Sequence, residues 1–168
     1  SVVTTDKTER VTHTYGGHFL ELNRALRGDF EHPPDAVAYP DTEDQLESVL
    51  DWCDGNGYAA IPYGGGTTVV DGVSVPDSAS GAVTIDMERL GKVLEIDETS
   101  RAARIQAGIF GPDLENALRP KGYTLRHFPQ SFPWSTLAGW IATRSGGHYA
   151  TNHTHIDDFV ESIRMVTP

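Results

Sequence analysis

Apolar positions recur at a helical period in one segment of the chain. They fall at i, i+3, i+4 and i+7, which is the stripe of an amphipathic helix: Leu46, Val49, Leu50 and Cys53. Thr42 followed three residues later by Gln45 has the form of a capping box at the start of this helix. Gly55 or Gly57 can end it. A shorter helix is predicted over 19–26, ending near Gly28.

Short apolar runs bounded by Gly, Pro or polar residues predict strands. They cover 36–39, 58–61 and 82–86, followed by 92–97 and 101–107 as the two arms of a hairpin. A further helix is predicted to begin at Pro112, with Leu114 and Leu118 on its apolar face and Gly122 as its stop. The first half of the chain therefore resembles a βαβ opening and the second half is built on a hairpin, so the predicted fold class is α+β.

A glycine-rich stretch follows the predicted strand 58–61. It consists of Pro62, Tyr63, Gly64, Gly65, Gly66, Thr67 and Thr68. Glycine has no Cβ atom, so the backbone can adopt positive φ and approach a ligand closely. Successive N–H groups in such a turn can form a concavity that holds an anion, and two hydroxyls follow at once as further donors. From this stretch alone, a phosphate-binding loop and a surface turn are both open.

The stretch fits neither of the two familiar phosphate motifs. A dinucleotide-binding G-x-G-x-x-G needs a third glycine where Val69 stands, with a helix after it, whereas 69–76 is β-branched and interrupted by Gly and Pro. A P-loop needs Gly-Lys-Ser/Thr, and no Lys or Arg occurs between Trp52 and Glu88. If the stretch binds phosphate, it does so through main-chain dipoles and hydroxyls.

Composition narrows the classes of partner. The 168 residues carry a net charge of −11, with 38% hydrophobic and 22% charged residues, which is typical of one globular domain or a large piece of one. An acidic surface argues against nucleic acid and anionic membranes. No apolar run approaches about 18 residues, so no transmembrane segment is expected. The start at Ser1 lacks an initiator Met and a signal-peptide pattern, so an internal or processed start is expected.

The single cysteine, Cys53, excludes an internal disulfide and lies on the apolar stripe, so we interpret it as a buried hydrophobic residue.

A second stretch, 127–149, combines small hydroxyl residues with small apolar ones. The hydroxyl residues are Ser131, Ser135, Thr136, Thr143 and Ser145, and the small ones are Ala138, Gly139, Ala142, Gly146 and Gly147. Close main-chain approach together with many hydroxyls suits a polar ligand. Trp134 and Trp140 are predicted to belong to the core.

An ordered set of motifs carries a family resemblance. The set comprises 37–40 ahead of the capped helix, the glycine stretch 61–67, Gly-Ile-Phe-Gly at 108–111, Gly-Tyr at 122–123, 135–146, and 156–168, with the early segments 15–18 and 26–35. Together they resemble the FAD-binding domain of the vanillyl-alcohol oxidase / p-cresol methylhydroxylase superfamily. Within it, the chain looks most like the alkylglycerone-phosphate synthase (alkyldihydroxyacetone-phosphate synthase) family and bacterial FAD-linked oxidases.

The resemblance implies a PCMH-type FAD-binding domain of two α/β subdomains, truncated at its C-terminal end. A lead-in would occupy 1–34 and the domain 35–168, with the first subdomain over about 35–90 and the second from about 91. FAD would be contacted by the glycine stretch and by later segments. Those residues would be Pro62, Tyr63, Gly64, Gly65, Gly66, Thr67, Thr68, Gln130, Ser131, Ser135, Thr136, Thr143, Arg144, Ser145, Gly146 and Ile156.

For the whole protein, the resemblance implies a flavoenzyme. The expected reaction is ether-lipid synthesis from acyl-dihydroxyacetone phosphate and a fatty alcohol, with this chain alone inactive. The alternatives are an FAD-linked oxidase or dehydrogenase of a 2-hydroxy acid or alcohol, and a flavin-binding module without catalysis. A small or lipid-like substrate would bind through a cap domain beyond this chain, where catalytic residues would also lie. A homodimer is possible; a bacterial protein would be cytoplasmic or peripheral to a membrane, and a eukaryotic one peroxisomal.

Several features of the later segments have competing interpretations. Residues 144–148 match a segment that carries covalent flavin in some members of the superfamily, but there it occupies the first loop, so non-covalent FAD is expected. His148, His153 and His155 lack a completing Cys or carboxylate cluster, so no metal site is predicted. Gln130 stands where the family often has an acid. Arg144 could neutralise phosphate or form a surface salt bridge, and 157–158 is interpreted as an exposed or capping acidic pair.

Overall fold

The structure, a computed structural model, describes residues 1–148 and 155–167. The chain forms two compact units. Unit 1 consists of Ser1–Arg89 with the C-terminal residues from Val166 on, and unit 2 consists of Leu90–Met165. Both units combine helices and strands, which confirms the α+β prediction. The predicted subdomain extents stay a prediction.

Unit 1 contains a four-stranded sheet and three helices. The strands are β1 (Val3–Thr4), β2 (Ala36–Ala38), β3 (Ala59–Tyr63) and β4 (Ala82–Asp86), and the helices are α1 (Lys7–Thr12), α2 (Phe19–Leu26) and α3 (Glu43–Asn56). The strand order is β1-β2-β4-β3, with β2 and β3 both parallel to β4 and β1 antiparallel at the edge. The predicted βαβ opening is therefore present, but β4 lies between its two strands.

The central strand β4 is buried along its whole length. Its sequence Ala-Val-Thr-Ile-Asp is nearly continuous in small and apolar residues, as expected for a parallel strand covered on both faces. Its last residue, Asp86, pairs in register with Tyr63, the last residue of β3. The carboxyl ends of these two strands thus meet at one edge of the sheet.

Helix α3 confirms the predicted stripe and corrects its capping. The Thr42 hydroxyl accepts from the N–H of Gln45, but the Gln45 side chain accepts from the N–H of Asp41, one residue before the position a capping box requires. Gly57 ends the helix in the left-handed conformation, at φ 67°. Cys53 is only 2% exposed, which confirms it as a core residue. It belongs to a cluster of Ala38, Val49, Cys53, Val83 and Ile85.

The described part of unit 2 contains the predicted hairpin and two helices. Strands β5 (Val93–Asp97) and β6 (Ala102–Ile105) pair antiparallel. The helices are α4 (Gly111–Leu118), extended by a 3-10 turn over Arg119–Lys121, and α5 (Leu137–Ala142). Two more 3-10 turns cover Phe132–Trp134 and Ile156–Phe159. The buried core consists of Ile109, Leu114, Leu118, Trp140 and Ile156.

The two predicted core tryptophans have different environments. Trp140 is 3% exposed and lies in the core of unit 2. Trp134 is 66% exposed, so the prediction for it was wrong. In the 3-10 turn Phe132–Trp134, Phe132 is the residue that packs against the core, and the Trp134 ring lies outside it.

The sequence analysis did not predict the two shortest helices, α1 and α5. Helix α1 is capped by Asp6, whose carboxylate accepts from the N–H groups of Thr8 and Glu9. It has six residues, as does α5, which is too short for an apolar period to be recognised. Over the described ranges, no helix combines the length and the apolar character needed to cross a bilayer.

Candidate functional site

The glycine loop, residues 64–68, leaves the carboxyl end of β3. Strand β3 extends two residues further than predicted, to Pro62 and Tyr63. The loop itself has no regular structure, and its residues are half-buried. Its position at the carboxyl end of a parallel strand is where ligands of α/β sheets bind.

The main-chain donors of this loop have no protein acceptors. Among the described residues, none of the N–H groups of 64–68 donates a hydrogen bond. N–H groups without protein acceptors are available to donate to water or to the oxygens of an anionic ligand. The positive φ of Gly66, 61°, is the left-handed backbone that lets successive N–H groups converge. The loop therefore fits a pyrophosphate, and the Thr67 hydroxyl adds a donor without a partner in the described chain.

Tyr63 lies directly behind the turn of the loop. A Cβ atom placed on Gly66 would lie 2.1 Å from Tyr63 Oη and 2.6 Å from Cζ, so only glycine fits there. Burial, with a smaller contribution from Asp86, raises the pKa of the Tyr63 hydroxyl, which keeps it protonated. Its ring packs at a tilt against His13, with ring centroids 4.6 Å apart.

His13 and Asp86 form a buried pair next to Tyr63. His13 Nε2 lies 2.9 Å from Asp86 Oδ2, and His13 Nδ1 lies 2.7 Å from the carbonyl oxygen of Glu9. Burial alone lowers the pKa of His13, but the hydrogen bonds to Asp86 and to the Glu9 carbonyl, with the charges of both acids, outweigh it and raise the pKa. The sequence analysis did not predict a role for His13 or Asp86. The one feature that could have indicated the pair is that Asp86, an acidic residue, ends a strand of otherwise small and apolar residues.

The second predicted stretch forms the approach to α5 in unit 2. Thr136 forms an isolated antiparallel bridge with Phe110, and the carbonyl of Ser135 accepts from the N–H of Gly111 at 3.3 Å. Ser135 and Thr136 are both buried. Gln130 is exposed and Ser131 is half-buried. The stretch is thus held along the start of α4.

Several of its hydroxyls already bind protein groups. The Ser135 hydroxyl donates to the carbonyl of Ser131 at 2.9 Å and accepts from Trp140 Nε1 at 2.7 Å. The Thr143 hydroxyl donates to the carbonyl of Gly139 at 2.8 Å. Each hydroxyl carries one proton, so neither has a second one for a ligand without breaking these bonds. Their roles as FAD donors stay predictions.

The third predicted segment, 143–146, is hydrogen-bonded to the turn over Ile156–Phe159. Ser145 Oγ lies 3.1 Å from His127 Nε2, and the Ser145 carbonyl accepts from the N–H of Ile156, a residue 1% exposed. Arg144 Nε donates to Asp157 Oδ2 at 2.8 Å on the surface, and this bond lowers the pKa of Asp157. The salt-bridge interpretation of Arg144 is therefore confirmed, and a role toward phosphate stays a prediction.

The histidines considered for a metal site lie partly beyond what the structure describes. His153 falls outside the described residues. Within 1–148 and 155–167, no group of three or more His, Cys, Asp or Glu side chains is arranged to hold a metal ion.

The comparison with protein families decides the identity of the domain. Residues 34–168 match the family model of the FAD binding domain. The chain belongs to this family. FAD is therefore the cofactor of the domain, as the resemblance implied.

The chain is similar to alkyldihydroxyacetonephosphate synthases both in sequence and in structure. The chain is 38% identical over 163 residues to an alkyldihydroxyacetonephosphate synthase of Dictyostelium discoideum, covering 97% of the chain and 27% of the relative. A solved alkyldihydroxyacetonephosphate synthase matches with a TM-score of 0.88 at 37% identity, over 94% of this chain and 30% of that one. The chain thus spans little more than a quarter of the length of the relatives it matches.

A third match concerns the fold alone. The solved p-cresol methylhydroxylase with substrate bound has a TM-score of 0.68 at 17% identity, over 85% of this chain and 26% of that one. The domain thus has the PCMH-type fold, and the relatives it is similar to include alkyldihydroxyacetonephosphate synthases. Both the family resemblance and the predicted fold class are confirmed, and the relatives are flavoenzymes.

Proposed function

We propose that this chain binds FAD non-covalently, with the glycine loop on its pyrophosphate. The observation that carries the proposal is the run of main-chain N–H groups over 64–68 that have no acceptor in the described chain. A pyrophosphate presents several acceptor oxygens within reach of one loop, and main-chain donors at a strand end stabilise its charge without a lysine. When bound, FAD supplies a redox-active and electrophilic ring.

The remaining contacts are assigned by position. In this proposal Gln130, Ser131, Ser135 and Thr136 lie along the flavin and the ribityl chain. In this proposal the segment from Thr143 to Gly146 and the main chain at Ile156 provide further contacts to FAD. The buried position of Ser135 and Thr136 favours main-chain contacts there rather than hydroxyl contacts.

Non-covalent attachment is supported by the residues of the loop. A covalent flavin bond needs a nucleophilic side chain, and 62–68 offers only one hydroxyl-bearing aromatic ring and two threonines, with no His or Cys. The histidine-containing segment 144–148 belongs to unit 2 and follows α5. Five strands and helices, β4, β5, β6, α4 and α5, separate it from the loop along the chain.

For the whole protein, we infer an alkyldihydroxyacetonephosphate synthase activity. The identity of 38% across nearly the whole chain supports it. The substrates would be acyl-dihydroxyacetone phosphate and a fatty alcohol, both of which are lipid-like. A homodimer, and a cytoplasmic or membrane-peripheral location in a bacterium or a peroxisomal one in a eukaryote, belong to the same proposal.

The cofactor proposal is tested on the purified whole protein that carries this chain. Flavin absorbance should accompany the polypeptide, and acid denaturation followed by centrifugation should leave FAD in the supernatant. Flavin that stays with the precipitated polypeptide would overturn non-covalent binding, and a protein that takes up no FAD would overturn the proposal as a whole.

The activity is tested by mixing the FAD-loaded protein with a labelled fatty alcohol and acyl-dihydroxyacetone phosphate. Formation of the labelled ether with release of fatty acid is expected. Reduction of an artificial electron acceptor by a 2-hydroxy acid, without ether formation, would identify the oxidase alternative instead. A protein that binds FAD and does neither would support the non-catalytic flavin module.

A further inference from the structure

We propose that residues ahead of the family match, Gly16, Gly17 and Glu21, form a clasp that fixes the far end of the glycine loop and so sets the affinity for the FAD pyrophosphate. The proposal rests on the proposed FAD binding. The family model begins at residue 34, so nothing in that match assigns these residues a role. The inference rests on the contacts that these three residues make with residues 67–74.

The first contact is a main-chain bond to the last residue of the loop. The N–H of Gly17 donates to the carbonyl of Thr68 at 2.7 Å. A Cβ atom on Gly17 would lie 3.3 Å from that carbonyl oxygen and 3.4 Å from the carbonyl oxygen of Thr67. The two backbones therefore lie side by side at a spacing that glycine permits.

Gly16 has even less room. A Cβ atom there would lie 2.7 Å from Thr68 Cγ2, 3.0 Å from the Thr68 carbonyl oxygen and 3.3 Å from Val73 Cγ2. A larger side chain at this position must displace the backbone of Thr68, because the methyl group can rotate but the carbonyl oxygen cannot. The sequence Gly16-Gly17 is thus matched to the loop and not only to its own turn.

The second contact lies on the other side of the segment that follows the loop. Glu21, on α2, is 5% exposed, and its Oε1 accepts from the Ser74 hydroxyl at 2.5 Å. Within the described residues its Oε2 has no hydrogen-bond partner. Burying this carboxyl group costs desolvation free energy that one such bond offsets only in part, so its contribution is positional: the bond fixes Ser74 relative to α2.

Together the contacts hold both flanks of residues 69–73. Thr68 is bound by Gly17 and Ser74 by Glu21, while the near end of the loop continues from Tyr63 in β3. A loop fixed at both ends loses less conformational entropy when it binds a ligand, because its N–H groups are already in position. Loosening the clasp should therefore weaken binding of any ligand with a pyrophosphate, without unfolding the sheet.

The test compares variants of the clasp in the purified whole protein, with FAD and ADP as probes. Gly16→Val inserts a side chain against Thr68, and Ser74→Ala removes the donor to Glu21. We expect each to weaken both FAD and ADP by on the order of tenfold, since loss of preorganisation costs affinity directly. Ser74→Thr keeps the hydroxyl and should restore binding. Gly55→Ala, at an exposed helical glycine with nothing within 4 Å of a Cβ, is the matched control and should bind like the wild type.

The melting temperature of each FAD-free variant separates positioning from general destabilisation. Weaker FAD and ADP binding at a nearly unchanged melting temperature, rescued by Ser74→Thr, supports the clasp. Wild-type affinity in both Gly16→Val and Ser74→Ala overturns the clasp and leaves the FAD proposal intact. Lost affinity that parallels a lower melting temperature and is not rescued also overturns it. A wild-type protein that binds no FAD overturns the FAD proposal and the clasp together.

Discussion

His13 Nε2 lies 2.9 Å from Asp86 Oδ2, across 73 residues of sequence, and both side chains are more than nine-tenths buried. The other ring nitrogen faces the carbonyl of Glu9, which can only accept. An imidazole with an acceptor at each nitrogen is best satisfied as the cation, because only then do both nitrogens donate. The pair therefore ties helix α1 to the end of β4, next to Tyr63 and the start of the glycine loop.

Removing one member of this pair should be costly. Among the described residues, His13→Ala leaves the buried Asp86 carboxylate with only the N–H of Glu88 as a donor, so the free energy of unfolding should fall by about 3 kcal/mol or more. Chemical denaturation of the FAD-free protein measures it. The control is Arg24→Ala, which breaks a pair with Glu31 whose side chains are both 50% exposed and should cost less than about 1 kcal/mol. Equal losses in the two variants would contradict the importance of the buried pair.

The same pair predicts a pH dependence. Folding raises the pKa of His13 above its usual 6.5, so the native state holds the proton more tightly than the unfolded state. The stabilisation is fully present below pH 6.5 and is lost as the pH rises through the folded-state pKa. The difference in unfolding free energy between the wild type and His13→Gln should therefore shrink with rising pH. The subtraction removes the contributions of other groups; a difference that grows with pH would contradict the prediction.

The Ser135 hydroxyl should contribute to stability mainly as the acceptor of the Trp140 indole N–H. Ser135→Ala leaves the buried indole N–H without its acceptor and should lower the unfolding free energy by about 1–3 kcal/mol. Thermal unfolding checks it, with Ser162→Ala as the control, since that serine is exposed and should change stability by less than about 0.5 kcal/mol. If Ser135→Ala instead kept full stability and lost FAD affinity, its hydroxyl would be a ligand rather than a partner of Trp140.

Gly66 should tolerate no side chain. Gly66→Ala combines a positive φ with a Cβ atom on top of Tyr63 Oη, so the loop must move and FAD should bind at least about tenfold more weakly. Fluorescence titration with FAD measures the effect. Adding Tyr63→Phe removes the closest atom but not the backbone strain, so it should restore only part of the affinity. Full restoration would show that φ at this position is unimportant.

Replacing the control glycine, Gly55, should stabilise the protein, whereas His13→Ala, Ser135→Ala and Gly66→Ala should destabilise it or weaken FAD binding. Gly55→Ala lies inside α3 with open space around it, and alanine loses less backbone entropy on folding. The unfolding free energy should rise by about 0.5–1 kcal/mol. A fall in stability would indicate that the end of α3 makes contacts that require glycine.

Much of the fold and the identity of the cofactor site could be predicted because their determinants are local. Short stretches of consecutive residues define the apolar stripe of α3, the apolar runs of β3 and β4, and the glycine loop between those two strands. Periodicity or backbone freedom alone identifies each of them. The ordered motifs then predicted an FAD-binding domain, which the family match over 34–168 confirmed.

The sequence by itself thus determined the elements, their order and the loop that offers its N–H groups to an anion. Only the tertiary structure decided what surrounds that loop: His13 with Asp86 beside Tyr63, and Gly16 and Gly17 against Thr68. It also showed that the Ser135 hydroxyl is already bound to Trp140. The physical reason is that these partners are brought together by packing between distant segments, and burial changes the energies of their polar groups in ways that composition and spacing do not encode.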